Sequence, residues 1–106
     1  MIENRDAATE TERTLRALAG ARGALRARGV DHLFLVGSVA RGEGHGNSDV
    51  DVLAEFAPDA RPSAVTLGGV QALLEDLLGR PVDVLEAHGL RPDIRDALQR
   101  DRLAAF

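Results

Sequence analysis

Cysteine, lysine, tryptophan and tyrosine are all missing from this chain of 106 residues, and its only aromatic rings are Phe34, Phe56 and Phe106. Without cysteine no disulfide can brace the fold, which suits a reducing compartment. So few rings leave little on which the bases of a single strand could stack. Long apolar runs are missing too: none approaches the roughly 20 residues that cross a bilayer. Met1 to Glu12 is charged and polar, unlike a secretory leader. Positive charge is in deficit, with 13 bases against 17 acids and a net charge of −4, so duplex nucleic acid finds no electrostatic footprint. Every base is arginine, which with the many alanines and glycines reads as codon usage in a GC-rich genome. These absences point to a soluble, cytoplasmic protein with no direct nucleic-acid or membrane partner.

A chain of this length makes one domain, residues 1–106, and buries roughly 60–70% of its unfolded surface. Leu15, Leu18, Ala19, Arg22 and Leu25 recur at helical spacing within Thr9 to Arg28, with acids early and arginines late, as the helix dipole favours. Gly20 and Gly23 weaken that helix by about 1 kcal/mol each relative to alanine, so it must lean on packing or on a partner. After Gly29, His32 to Val36 reads as a short buried strand closed by Gly37-Ser38, and Val39 to Gly42 as the first turn of a short helix. Glu43 to Ser48 is a polar, glycine-rich loop. Asp49 to Phe56 then alternates with the period of a strand, Asp49, Asp51 and Leu53 on one face and Val50, Val52 and Ala54 on the other.

Ser63 caps a helix reaching about Leu78, with Val70, Leu73, Leu74, Leu77 and Leu78 as its stripe, and Gly79 stands at the C-cap. Val82 to Leu85 is a third strand with Asp83 between two valines. Pro92 to Ala105 is expected to close the chain as an amphipathic helix through Ile94, Leu98 and Leu103. The expected fold class is therefore α/β (α+β), in the order α-β-α-β-α-β-α.

The chemistry gathers in the middle. Asp49 and Asp51, two apart on a strand, project from the same face. Paired carboxylates repel one another unless a cation lies between them, and hard oxygen ligands that leave room for water and phosphate suit Mg²⁺ or Mn²⁺. With Asp83 on a neighbouring strand, three carboxylates could hold two metals about 3.5–4 Å apart, the geometry of in-line phosphoryl displacement. Gly37-Ser38, between a strand and a short helix, offers backbone N–H groups and a hydroxyl to a phosphate. Arg41, one helical turn on, either grips a triphosphate or serves a surface ion pair. Ser48 either bonds a phosphate or orients the turn before the acids. Each piece alone has a bland reading as turn or solvated strand; the conjunction of a phosphate cradle and a carboxylate cluster points to nucleotidyl transfer.

The runs Gly37-Ser38-Val39-Ala40-Arg41-Gly42 and Asn47-Ser48-Asp49-Val50-Asp51-Val52-Leu53 resemble the signature of the DNA polymerase beta-type nucleotidyltransferase superfamily. The resemblance is to its minimal nucleotidyltransferases, the antitoxins of HEPN–MNT toxin–antitoxin pairs. It extends through Leu77-Leu78-Gly79-Arg80-Pro81-Val82-Asp83-Val84-Leu85 and covers roughly residues 9 to 106. It implies a small mixed sheet flanked by helices, nucleotide phosphates at Gly37 and Ser38, and metals at Asp49 and Asp51. Asp83 would complete the metal site and help deprotonate the acceptor. It further implies Mg²⁺-dependent transfer of AMP from ATP to a tyrosine of a HEPN-type partner toxin, which neutralises the toxin. The alternative is an antitoxin that acts by docking alone, its site vestigial.

Lacking tyrosine, this chain cannot be its own tyrosyl acceptor. Its brevity also leaves no second domain for a small-molecule acceptor pocket, so a partner is expected to complete the site. His45 reads as a solvent-exposed loop residue and His88 as a turn residue, and neither has metal-ligand spacing to another histidine. Arg91, Arg95 and Arg102 would form a basic strip on the final helix, solvated or turned toward a partner or the nucleotide.

Overall fold

The computed structural model describes residues 9–44 and 48–106. Helix α1 (Glu10–Gly20) begins with a reciprocal cap, in which Glu12 N–H donates to Thr9 Oγ1 and Thr9 N–H donates to Glu12 Oε1. Such caps hold two donors that the first turn otherwise leaves unpaired. The single helix expected to reach Arg28 is instead two. Ala21 leaves helical geometry (φ −90°, ψ 6°) and α2 (Arg22–Arg26) restarts beyond it. The break falls between Gly20 and Gly23, where helix propensity is weakest. Among the described residues, a side chain at either glycine would meet nothing within 4 Å, so packing against them does not require either glycine to be small.

Strand β1 (Val30–Val36) leads into the short helix α3 (Gly37–Ala40), and β2 (Val50–Phe56) returns antiparallel to β1. Helix α4 (Ala64–Leu78) starts at the expected Ser63, whose hydroxyl accepts from Thr66 N–H, and ends at Gly79 with φ 68°. It carries the chain over to β3 (Val82–Glu86), which lies parallel to β2. A parallel pair needs such a crossover. A 3-10 turn (Ala87–Gly89) and α5 (Pro92–Gln99) follow.

The C-terminal helix is shorter than expected. Residues Leu103–Ala104 form β4, antiparallel to β1 with Leu103 opposite Leu35 and Ala104 opposite Phe34. Ala105 N–H also donates to the Leu33 carbonyl at 2.8 Å. The apolar spacing of Ile94, Leu98 and Leu103 fits a helix equally well. What decides against one is the edge of β1, whose backbone groups this segment satisfies. Ile94, on α5, is 42% exposed. The sheet thus has the order β3-β2-β1-β4.

One face of the sheet (Leu33, Leu35, Val50, Val52, Ala54, Val82) packs against Leu18, Leu25, Val70 and Leu74 of the helices, all buried. Each fully buried leucine contributes roughly 1.5–3 kcal/mol relative to exposure. On the other face Val36, Leu53 and Ala87 pack with Phe34, Leu85, Leu90 and Leu98. That smaller apolar patch shares its face with Asp51 and Asp83, because Val36 stands opposite Asp51 and Asp51 opposite Asp83. Among the described residues no helix is long and apolar enough to cross a membrane.

Candidate active site

Gly37 adjoins the acids directly. Its φ of 75° is one that side-chain-bearing residues rarely adopt, and a Cβ there would lie 2.5 Å from Asp51 Oδ2 and 3.3 Å from Asp51 Cβ and Cγ. The turn from β1 into α3 is therefore wrapped onto the aspartate, with Gly37 and Ser38 half-buried beside it. Val39 anchors α3 in the core, and its carbonyl accepts from Thr11 Oγ1 at 2.6 Å, which ties α3 to α1.

Asp51 and Asp83 share a register position on parallel strands, which sets their carboxyl groups side by side. The Asp51 carboxyl is held above the usual carboxylate range. Burial is the largest cause, followed by the charge of Asp83, the hydrogen bond with it and the charge of Asp49; Arg41 pulls the other way. Asp51 is half-buried while Asp83 and Asp49 are exposed. Asp49 lies just before β2 rather than within it. Among the described residues, no three acidic or imidazole side chains are drawn together closely enough to enclose an ion by themselves. The donor set nonetheless suits Mg²⁺, which takes one or two carboxylates and completes its shell with water and phosphate oxygens.

Arg41 is engaged at the surface. Its Nε donates to Glu43 Oε1 at 3.1 Å and a terminal nitrogen lies 3.8 Å from Asp101. The structure thus displays the ion-pair role, although the guanidinium charge still reaches Asp51. At Ser48 the main-chain carbonyl is held by Arg80, whose Nε and one terminal nitrogen donate to it at 2.8 and 2.6 Å. The other terminal nitrogen of Arg80 donates to Glu10 Oε2 at 2.8 Å. Sequence reasoning passed over Arg80 and Glu10, whose partners lie far along the chain and leave no local signal. Asn47 and His45 lie outside the described residues.

A groove of about 660 Å³ runs from the acid pair along the outer edge of β3, lined by Asp51, Asp83, Val84 and Leu85 and by Ala64, Leu67, Gly68 and Gln71 of α4. His88 sits in the 3-10 turn as expected, exposed, its N–H donating to Glu86 Oε1. The basic strip does not form. Arg91 pairs with Asp93 at the start of α5. Arg102 lies off the helix with its guanidinium carbon 4.3 Å from the centre of the Phe34 ring and 3.8 Å between NH1 and Glu55.

Residues 18–105 match the nucleotidyltransferase domain family. The chain is 36% identical over 70 residues to the protein adenylyltransferase candidate MJ0435 of Methanocaldococcus jannaschii, covering 66% of this chain and 73% of that one. It is 34% identical over 73 residues to protein adenylyltransferase MntA of Thermococcus cleftensis, covering 69% and 72%. A solved candidate minimal nucleotidyltransferase superposes with a TM-score of 0.71 at 35% identity, covering 86% of this chain and 92% of that one. A chain in the complex of tri-AMPylated Shewanella oneidensis HEPN toxin with MNT antitoxin has a TM-score of 0.66 over 88% of this chain and 71% of that one. At 13% identity that likeness is one of fold alone. Since the family match runs through all four strands and both acid-bearing segments, the chain belongs to the nucleotidyltransferase domain family and is a nucleotidyltransferase.

Proposed function

We propose that this protein transfers the adenylyl group of ATP to a tyrosine hydroxyl of a HEPN-type partner toxin in the cytoplasm and so neutralises it. The observation that carries the reading is the packing of Gly37 against Asp51 beside the Asp51–Asp83 pair. It brings a backbone turn that can take phosphate next to carboxylates that can take a metal. The nucleotide phosphates rest against Gly37 and Ser38, with Arg41 and Ser48 flanking them. Asp49, Asp51 and Asp83 would hold Mg²⁺, two ions in this reading, which supplies charge neutralisation for the phosphates and the leaving group.

Exposed Asp83 at the groove receives the acceptor. The phenolic oxygen attacks the α-phosphorus, forming an O–P bond as the bond to the bridging oxygen of the β-phosphate breaks. Pyrophosphate departs with that electron pair, and the phenolic proton passes to the Asp83 carboxylate. Because the chain has no tyrosine, the acceptor comes from another protein. Two relatives carry protein adenylyltransferase names, which supports a protein acceptor.

The test is intact-protein mass spectrometry of the neighbouring gene's product after incubation with this protein, Mg²⁺ and each nucleoside triphosphate in turn. A gain of one or more adenylyl groups with ATP, lost with Asp51→Asn, is the expected result. A stable complex with no mass gain would refute transfer and leave an antitoxin that works by docking.

A further inference from the structure

Arg80 stands between left-handed Gly79 and Pro81, at the turn from α4 into β3, and its side chain reaches back to the segment that enters β2. Two of its nitrogens converge on a single oxygen, the Ser48 carbonyl, at 2.8 and 2.6 Å. The third donates to Glu10 Oε2 at 2.8 Å, and the arginine side chain is only 12% exposed. The Ser48 carbonyl belongs to the rigid peptide plane that ends at the Asp49 Cα. Asp49 lacks the support of the strand ladder, which begins at Val50. The next tether, Val50 N–H to the Pro81 carbonyl at 3.0 Å, comes from the same turn.

We infer that Arg80 is a positioning residue for nucleotidyl transfer: its fork fixes the Ser48–Asp49 peptide, and through it the Asp49 carboxylate, while Glu10 holds the fork in line. The inference rests on Asp49 acting at the reacting centre. The planar guanidinium is what the arrangement requires. A lysine at this position keeps a charge for Glu10 but is a flexible point donor that cannot reproduce the fork. A peptide plane released on this side lets the carboxylate drift, and displacements near 1 Å cost about 10²-fold where a catalytic group must be aligned.

Arg80→Lys and Arg80→Gln in the full chain test this, each assayed well below its own melting temperature. Binding of Mn²⁺ in the presence of α,β-methylene-ATP, followed by electron paramagnetic resonance, needs no acceptor. It is expected to weaken about tenfold in Arg80→Gln, the usual consequence of removing an outer support of a metal site, with a smaller loss in Arg80→Lys. In transfer assays kcat is expected to fall about 10- to 100-fold while the KM for ATP changes by less than about threefold. A folded Arg80→Lys protein with wild-type Mn²⁺ affinity and wild-type kcat overturns the inference, and decides the matter if Arg80→Gln does not fold. Wild-type protein that binds no Mn²⁺ with the analogue would overturn the metal reading of the acids, and the positioning role with it.

Discussion

Replacing Gly37 by alanine adds one methyl group where the backbone and the acid nearly touch, and the two consequences separate cleanly. The backbone term comes from φ 75°, a left-handed conformation that costs an L-residue about 1–2 kcal/mol. The steric term is divided. Asp51 Oδ2, 2.5 Å from the new Cβ, can rotate aside, whereas Asp51 Cβ and Cγ at 3.3 Å need shift only by tenths of an ångström. Stability should therefore fall by little more than the backbone cost, about 1–2 kcal/mol in urea denaturation. Function should fall much further, because the atom that rotates aside is the carboxylate oxygen itself. A loss of about 10²-fold in kcat, measured well below the melting temperature, is the expected size for a ligand turned out of line.

Gly20→Ala supplies the control. The same methyl group there meets nothing within 4 Å among the described residues and falls at the end of α1. It should stabilise the protein by roughly 0.4–1 kcal/mol and leave kcat unchanged. If Gly37→Ala kept kcat within threefold of wild type, the idea that this glycine is required by the carboxylate beside it would be wrong.

Two further outcomes follow from the charge cluster. Asp51 is held above its ordinary value in the folded chain, so its proton favours the fold. Its contribution is complete below the usual carboxylate range and is lost as pH rises through its raised value. Without divalent metal, Asp51→Asn should accordingly melt higher than wild type at neutral pH and show a flatter pH dependence; equal melting curves across that range would count against the like-charge account. Mg²⁺–ATP at about a hundred times its dissociation constant should add about 2.7 kcal/mol, or roughly 10 °C in melting temperature for a domain of this size. Indifference to millimolar Mg²⁺–ATP in a thermal melt would refute nucleotide binding at this site.

Local chemistry made much of the fold readable. Ser63 and Gly79 bracket α4 as their side-chain and backbone preferences dictate, and alternation in Asp49 to Phe56 marks β2 to within a residue. Asp51 and Asp83 are brought into register by strands whose Val50, Val52 and Val82 are buried on the opposite face. What escaped reading depends on partners distant in the chain. Leu103 suits a helix stripe or a strand equally, and only the bare edge of β1 selects the strand. Arg80 looks like any other arginine until the crossover brings it against Ser48 and Glu10. The basic strip dissolved for a related reason, since the Phe34 ring, remote in sequence, offers Arg102 a better surface than the helix does.

The late pairing of β4 with β1 also bears on how the protein is made. β1 is synthesised early and gains β2 on one side soon after, but its other neighbour, β4, is made only after α4, β3 and α5. Until β4 is made, an apolar strand (Leu33, Phe34, Leu35 and Val36) has one edge unpaired, the kind of template that recruits strands from other chains. Completion of the sheet consequently waits on Leu103 and Ala104, and chains stalled or cleaved before Leu103 should aggregate through that edge even though every residue of the acid cluster has already been made.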